Sequence, residues 1–338
     1  MNGFSKVGVI GAGSWGTTLA NLLAEKGIDV DLWVREKDVF NQIKNESINN
    51  VFLPGVKLAP MLRPVRTFQE ALSGKELVLL VTPSHVMRDV LKKLKPYLDS
   101  RPILMTATKG IENNTLMTMS QVVESELSGI HMENFACLSG PSFAKEVSRK
   151  HPTAVTIACR NPGHAARLQE LFYTEFFRVY TSEDLTGVQL GGALKNVIAI
   201  AAGVSDGLNF GHNARAAIIT RGLAEISRLG VAMGANPLTF LGLAGVGDLV
   251  LTCTGDLSRN RMVGVKIGKG IDLKEITENM KMVAEGVKTA RSAYELSKKI
   301  GVEMPITSQV YEILYEKKSP KEAVKELMTR KLKAELGN

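Results

Sequence analysis

The run Val7-Gly-Val-Ile10, Gly11-Ala-Gly-Ser-Trp-Gly16, Thr17-Thr-Leu-Ala-Asn-Leu-Leu-Ala24 decides how this chain is read. It passes from an apolar strand pattern through a glycine turn into a helical pattern. A helix N-terminus carries unpaired N–H groups and the positive end of a dipole, and together these attract a pyrophosphate. In that arrangement Gly11 permits the tight turn, Gly13 lets backbone approach the phosphates, and Gly16 lets helix and strand pack closely. A G-x-G-x-x-G alone is weak evidence. Here a second strand pattern, Ile28-Asp-Val-Asp-Leu-Trp-Val34, follows at the distance of a βαβ unit, so dinucleotide binding is expected over a glycine loop that merely connects. The uncharged stretch 7–24 after Lys6 also invites reading as a signal peptide, but its glycines and hydroxyl residues make a poor apolar segment, so a folded, cytoplasmic chain is expected.

The end of the second strand is where a nicotinamide enzyme chooses its coenzyme. An acidic residue there bonds the ribose 2′-hydroxyl, whereas an arginine accommodates a 2′-phosphate. Val34-Arg35-Glu36 offers both: Arg35 argues for NADPH through a charged fork onto phosphate, and Glu36 keeps NADH open. Arg35 as a solvated surface cation is the plain alternative.

The 338 residues, 44% hydrophobic and 22% charged, suit an ordinary globular protein with room for two domains. No apolar run of membrane-spanning length is evident, so no stable membrane insertion is expected. Cys137, Cys159 and Cys253 are odd in number and widely spaced, which suggests neither disulfide framework nor zinc site. The five histidines lack ligand spacing, so no metal is expected. A net charge of +8 has no nucleic-acid motif beside it and lies largely in Lys317 to Lys333. Solvated helix faces with an anionic coenzyme and substrate account for it, and no nucleic-acid partner is expected.

Strand and helix patterns alternate through the first half: Glu76 to Thr82, helix-like Ser84 to Tyr97, Pro102 to Thr108, a helix near Thr115 to Leu127, then Asn134 to Ser139 and Thr153 to Cys159. This predicts a Rossmann-like, doubly wound, mainly parallel sheet with helices on both faces. From about Asp184 helical patterns dominate, with Leu185–Ala202 and Ala214–Ala232 reading as long, nearly apolar, buried helices. The expected domains are 1–183, binding coenzyme, and 184–338, all-helical and substrate-binding, an α/β arrangement with chemistry in the cleft between them.

Lys195 lies in Gly187-Val-Gln-Leu-Gly-Gly-Ala-Leu-Lys-Asn-Val-Ile-Ala-Ile200 among apolar and small residues. Desolvation there lowers an ammonium pKa and suits it to proton transfer near neutrality. Asn196 can orient a substrate hydroxyl or carbonyl, and Gly191-Gly192 would let a ligand approach. A lysine snorkelling to the surface is the alternative. Gly245-Val-Gly-Asp248-Leu-Val-Leu-Thr252 sets a carboxylate and a hydroxyl in a glycine-rich context. Asp248 could pair with Lys195, or could cap a helix. Ser258-Arg259-Asn260-Arg261 offers donors for a phosphate, or a solvated basic loop.

Taken with Ala107-Thr-Lys-Gly110, Ser139-Gly-Pro-Ser-Phe-Ala-Lys-Glu146, Val283-Ala-Glu-Gly286 and Glu303-Met-Pro-Ile-Thr307, these segments span nearly the whole chain. In order and content they resemble the bacterial NAD(P)-dependent sn-glycerol-3-phosphate dehydrogenases. The resemblance implies reduction of dihydroxyacetone phosphate to sn-glycerol 3-phosphate for glycerophospholipid synthesis, with NADPH or NADH. It implies Lys195 as proton donor and acceptor, aided by Lys109 and Asp248. Substrate contacts would come from Lys109, Gly140, Ser142, Lys195, Asn196, Asp248, Thr252, Ser258, Arg259 and Asn260. Coenzyme contacts would come from Gly11, Gly13, Ser14, Trp15, Gly16, Arg35, Lys109, Ala144, Arg259, Val283 and Glu285, with Phe52 near the adenosine end. A homodimer is the expected assembly. Related two-domain dehydrogenases of hydroxy acids or phosphosugars, and a nicotinamide sensor without catalysis, are the competing readings.

Overall fold

Residues 4–99, 102–127, 129, 131–280, 284–332 and 334–335 are described by the computed structural model. Its strands are β1 (Lys6–Ile10), β2 (Asp29–Trp33), β3 (Ile48–Asn49), β4 (Leu53–Lys57), β5 (Leu62–Val65), β6 (Leu77–Leu80), β7 (Ile103–Thr106), β8 (Phe135–Ser139), β9 (Thr153–Cys159) and β10 (Phe177–Ser182). Among them run α1 (Ser14–Glu25), α2 (Lys37–Glu46), α3 (Phe68–Leu72), α4 (Met87–Leu94), α5 (Met119–Glu126), α6 (Ala144–Val147) and α7 (Pro162–Phe172). Helices then take over: α8 (Leu185–Gly207), α9 (Gly211–Ala232), α10 (Asp248–Thr254), α11 (Arg259–Gly268), α12 (Leu273–Glu278), α13 (Glu285–Ile300), α14 (Pro305–Tyr315) and α15 (Pro320–Met328).

The main sheet has the order β10-β9-β8-β7-β6-β1-β2-β5, with β3 and β4 forming a separate antiparallel pair. Apolar β6 and β7 are buried along their whole length, as central parallel strands covered on both faces must be. On β1 the strand alternation sends Val7 and Val9 into the core under α1 and Ile10 into the core under α4 and α5, so the sheet is doubly wound. The expected mainly parallel sheet carries one antiparallel pairing, β8 with β9. The connection between them holds just the short α6, and a parallel return needs a longer crossover. From β9 the chain crosses through α7 and pairs β10 parallel.

α8 is buried on nearly every side and sits at the centre of the helical half. It is long and apolar enough to span a membrane, yet 94% of its most apolar window lies inside the protein, which makes it a core helix. The expectation that α9 is buried like α8 is corrected: its buried residues are Gly222, Glu225, Ile226, Leu229 and Gly230, all in the second half. His212, Asn213 and Arg215 occupy the first turns, and that half faces outward.

Glu225 of α9 is buried and accepts the Ile306 N–H at 2.6 Å, the Thr307 N–H at 3.1 Å and the Thr307 hydroxyl at 3.1 Å. It caps α14 from a neighbouring helix, where the local N-cap, Met304, has no side-chain acceptor. Burial pushes the Glu225 carboxyl up to about 6, against the lowering effect of those bonds. A folded pKa above the unfolded one gives stability that is complete below the unfolded value and lost as pH rises through about 6. Urea unfolding should show wild type losing about 2 kcal/mol more than Glu225→Gln between acid and neutral pH. Parallel pH curves for the two proteins would contradict this.

Candidate active site

The chain runs outward from β1 to β2 and β5 and then crosses to β6 on the other side of β1. This switch opens a crevice beyond the carboxyl ends of β1 and β6. Gly11 turns there with φ +120°, and a Cβ on it would lie 2.6 Å from the Val81 carbonyl oxygen. A Cβ on Gly16 would lie 1.9 Å from the Gly11 carbonyl oxygen, whereas one on Gly13 would meet nothing within 4 Å. The loop is therefore tight at its ends and open in the middle, at the N-terminus of α1, which fits a pyrophosphate. Ser14 Oγ donates to the Phe52 carbonyl at 2.5 Å, bringing Phe52 beside the loop. Asn49 clamps the same turn by donating to the Ala12 carbonyl and to Thr17 Oγ1, a contact that no local motif signals. Trp15 Nε1 is buried with no hydrogen-bond partner among the described residues. Ala144 starts α6, and its carbonyl faces Thr18 of α1.

Beyond β2, Arg35 is exposed and its fork is held by Glu36 at 2.6 Å. Across the crevice, Ser84 donates its hydroxyl to Glu285 Oε2 at 2.7 Å, joining the end of β6 to the start of α13. Burial pushes the Glu285 carboxyl up, opposed by Ser84 and by the charge of Arg259. Burial also lowers the pKa of Arg259, with Glu285 acting in the other direction. Val283 lies outside the described residues.

Deeper in the cleft, Lys195 is 6% exposed and donates to Asp248 Oδ1 at 2.5 Å and to Thr252 Oγ1 at 2.9 Å. Lys109, at the end of β7, reaches the other Asp248 oxygen at 2.9 Å and the Gly140 carbonyl at 3.5 Å. Ser142 Oγ closes onto the same Gly140 carbonyl at 3.0 Å. Asp248 thus sits between two ammoniums. Burial would raise its carboxyl, but the charges of Lys109 and Lys195 prevail and hold it below its ordinary value. Burial takes Lys195 down to about 7; Asp248 opposes that shift and Lys109 adds to it. Of the two uses open to Asp248, the structure selects the ion pair: Gly247 stands at the N-cap of α10, and the carboxylate faces the lysines.

The role expected of Gly191-Gly192 is corrected. A Cβ on Gly191 would lie 2.3 Å from the Ala244 carbonyl oxygen and one on Gly192 2.6 Å from Ser139 Oγ. The pair lets α8 press against β8 and the turn before Asp248, which brings Lys195 to its carboxylate, rather than admitting a ligand.

At the N-terminus of α11, Ser258 caps the helix by accepting the Arg261 N–H at 3.2 Å. Arg259 and Asn260 fill its first turn, giving an end suited to an anion. Asn260 Nδ2 donates to Asn196 Oδ1 at 2.9 Å and its Oδ1 accepts the Gly286 N–H at 2.9 Å, so the helix bearing Lys195 is tied to the start of α13. Arg261 is not one of the phosphate donors its motif suggested: its guanidinium is committed to Asp206 at 2.8 Å and Asp256 at 3.0 Å.

A dinucleotide crevice facing a buried lysine–carboxylate centre defines a two-domain, nicotinamide-dependent dehydrogenase. Residues 6–165 match the family model described as NAD-dependent glycerol-3-phosphate dehydrogenase N-terminus, and residues 184–325 the one described as its C-terminus. The chain belongs to the NAD-dependent glycerol-3-phosphate dehydrogenase family. Over 330 residues it is 59% identical to the glycerol-3-phosphate dehydrogenase (NAD(P)+) of Geobacter sulfurreducens, covering 98% of each chain. The solved glycerol-3-phosphate dehydrogenase of Coxiella burnetii superposes with a TM-score of 0.93 at 41% identity, over 97% of this chain and 99% of that one. D-mandelate dehydrogenase with NADH, at 15% identity and TM-score 0.62 over 92% of this chain and 98% of that one, is similar in fold alone.

Proposed function

We propose that this protein reversibly reduces dihydroxyacetone phosphate to sn-glycerol 3-phosphate with NADPH or NADH, supplying the glycerol backbone of phospholipids. The buried Lys195–Asp248–Lys109 cluster beside the N-terminus of α11 carries the reading: a proton donor and a phosphate cradle lie on one side of a coenzyme crevice. When bound, the reduced nicotinamide supplies hydride to the C2 carbonyl. Lys195, poised near pH 7, gives the proton to the oxygen as it becomes an alkoxide and recovers it in the reverse direction. Lys109 polarises that oxygen, and Asp248 holds both ammoniums in place. Ser258, Arg259 and Asn260 take the substrate phosphate; Asn196 and Thr252 set the positions of Asn260 and Lys195 and line the pocket with Gly140 and Ser142. Gly11, Gly13, Ser14, Trp15 and Gly16 take the pyrophosphate, Phe52 and Arg35 the adenosine end, and Lys109, Ala144, Val283, Glu285 and Arg259 the nicotinamide side.

We take residues 1–183 as the coenzyme domain and 184–338 as the substrate domain, since β10 ends at Ser182 and Asp184 caps α8. The three free, buried cysteines suit a reducing cytoplasm. Membrane insertion is not part of this reading because α8 is spent on the core, and assembly as a homodimer follows the family resemblance. Adding dihydroxyacetone phosphate to the purified protein should oxidise NADPH and NADH, measured by their absorbance, while unphosphorylated dihydroxyacetone does nothing. Equal rates with both ketones would point to another dehydrogenase, and coenzyme binding without oxidation to a sensor.

A further inference from the structure

The end of β2 holds a second arginine that the sequence pattern did not reveal. β5 pairs parallel with β2 in the register Trp33 with Val65, so Arg66 emerges beside Val34 and Arg35 although 31 positions separate it from Arg35. Its Nη1 donates to the Val34 carbonyl at 2.8 Å and to the Arg35 carbonyl at 2.6 Å. Its own carbonyl accepts Trp33 Nε1 at 3.2 Å, and its guanidinium lies 5.8 Å from the centre of the Phe40 ring. One nitrogen is thereby anchored on the strand end, while Nε and Nη2 have no partner among the described residues. Arg35 differs: both Nε and Nη2 are turned onto Glu36 Oε1, at 2.9 and 2.6 Å, so its charge is met within the chain.

We propose that Arg66 is a specificity-determining residue for the coenzyme, its anchored guanidinium taking the 2′-phosphate of NADPH while Glu36 competes for Arg35 and keeps the site open to the 2′-hydroxyl of NADH. This rests on the reading of the crevice as a nicotinamide site. A guanidinium held at one nitrogen gives up less freedom on binding an anion than a solvated one, and planar bidentate contact with phosphate is what arginine provides. Release of Arg35 to the phosphate requires that Glu36 be left behind, so the two arginines contribute unequally.

Calorimetry with adenosine 2′,5′-bisphosphate and with 5′-AMP on the intact protein isolates this contact from turnover. Arg66→Gln should weaken the bisphosphate by about tenfold or more and change 5′-AMP by less than about twofold. Arg66→Lys, which keeps the charge, should recover part of the difference, and Glu36→Gln should tighten the bisphosphate. Equal weakening of both nucleotides in Arg66→Gln would show that Arg66 only secures the strand end and would overturn the proposal. A wild-type preference for the bisphosphate that Arg35→Ala abolishes and Arg66→Gln spares would overturn it while leaving NADPH use intact. No wild-type preference at all would remove the 2′-phosphate site and the proposal with it.

Discussion

Lys195→Ala is expected to lower turnover by roughly a thousandfold, within the ~10²–10⁴ range of general acid–base catalysis, while the dissociation constant for NADPH stays within about threefold of wild type. Lys195 donates to Asp248 and Thr252, and its hydrogen bonds among the described residues are not with the glycine loop. Its removal deletes the proton donor and one of the two cations facing Asp248; Lys109 remains as the partner of that carboxylate. Coenzyme fluorescence titration separates the two effects. A variant that loses NADPH binding along with activity would assign Lys195 a structural role.

Asp248→Asn is the second large change, and its sign differs between the two reaction directions. The carboxylate is what holds the Lys195 pKa up against burial and against Lys109. Replacing it with a neutral amide should drop that pKa below about 7, leaving Lys195 neutral at physiological pH. Reduction, which needs the ammonium, should fall steeply at pH 7 and recover toward acid pH; oxidation of glycerol 3-phosphate, which needs the free amine, should suffer less. The buried site also loses the partner of two cations, a change that ordinarily costs about 3–5 kcal/mol unless a lysine sheds its proton. Initial rates in both directions from acid to alkaline pH decide it. An unchanged profile would mean that Asp248 does not set the lysine's proton affinity.

The coenzyme half was legible where its signals are local. The spacing of Gly11, Gly13 and Gly16 specifies a turn on its own, and the apolar runs of β1, β6 and β7 read as buried strands because both faces are covered. β5 escaped because Leu62-Arg-Pro-Val65 has a charge and a proline where a strand pattern wants apolar residues, which only an edge strand tolerates. Arg66 escaped with it, since its place beside Arg35 depends on that pairing. The helix expected from Thr115 begins instead at Met119, because Thr118 and Gln121 form a capping box there.

The site was legible as residue types and not as contacts. Lys195 stands out as a charge in an apolar helix, and Asp248 as a carboxylate among glycines. That they meet depends on the backbone closeness that Gly191 and Gly192 allow, which no local pattern declares. Arg261 was misjudged for the mirror reason: its sequence neighbours suggested a phosphate, and its spatial neighbour is Asp206. Ser84 carried no motif, and only the packing of α13 against the end of β6 places it on Glu285.

One buried lysine carries the proton in both directions, and the pH dependence of kcat/KM measured in each direction reads this out. Reduction of dihydroxyacetone phosphate should fall as pH rises, oxidation of glycerol 3-phosphate should fall as pH drops, and both limbs should share an apparent pKa near 7, where burial places Lys195. Limbs of the same sign, or limbs that persist in the residual activity of Lys195→Ala, would contradict it.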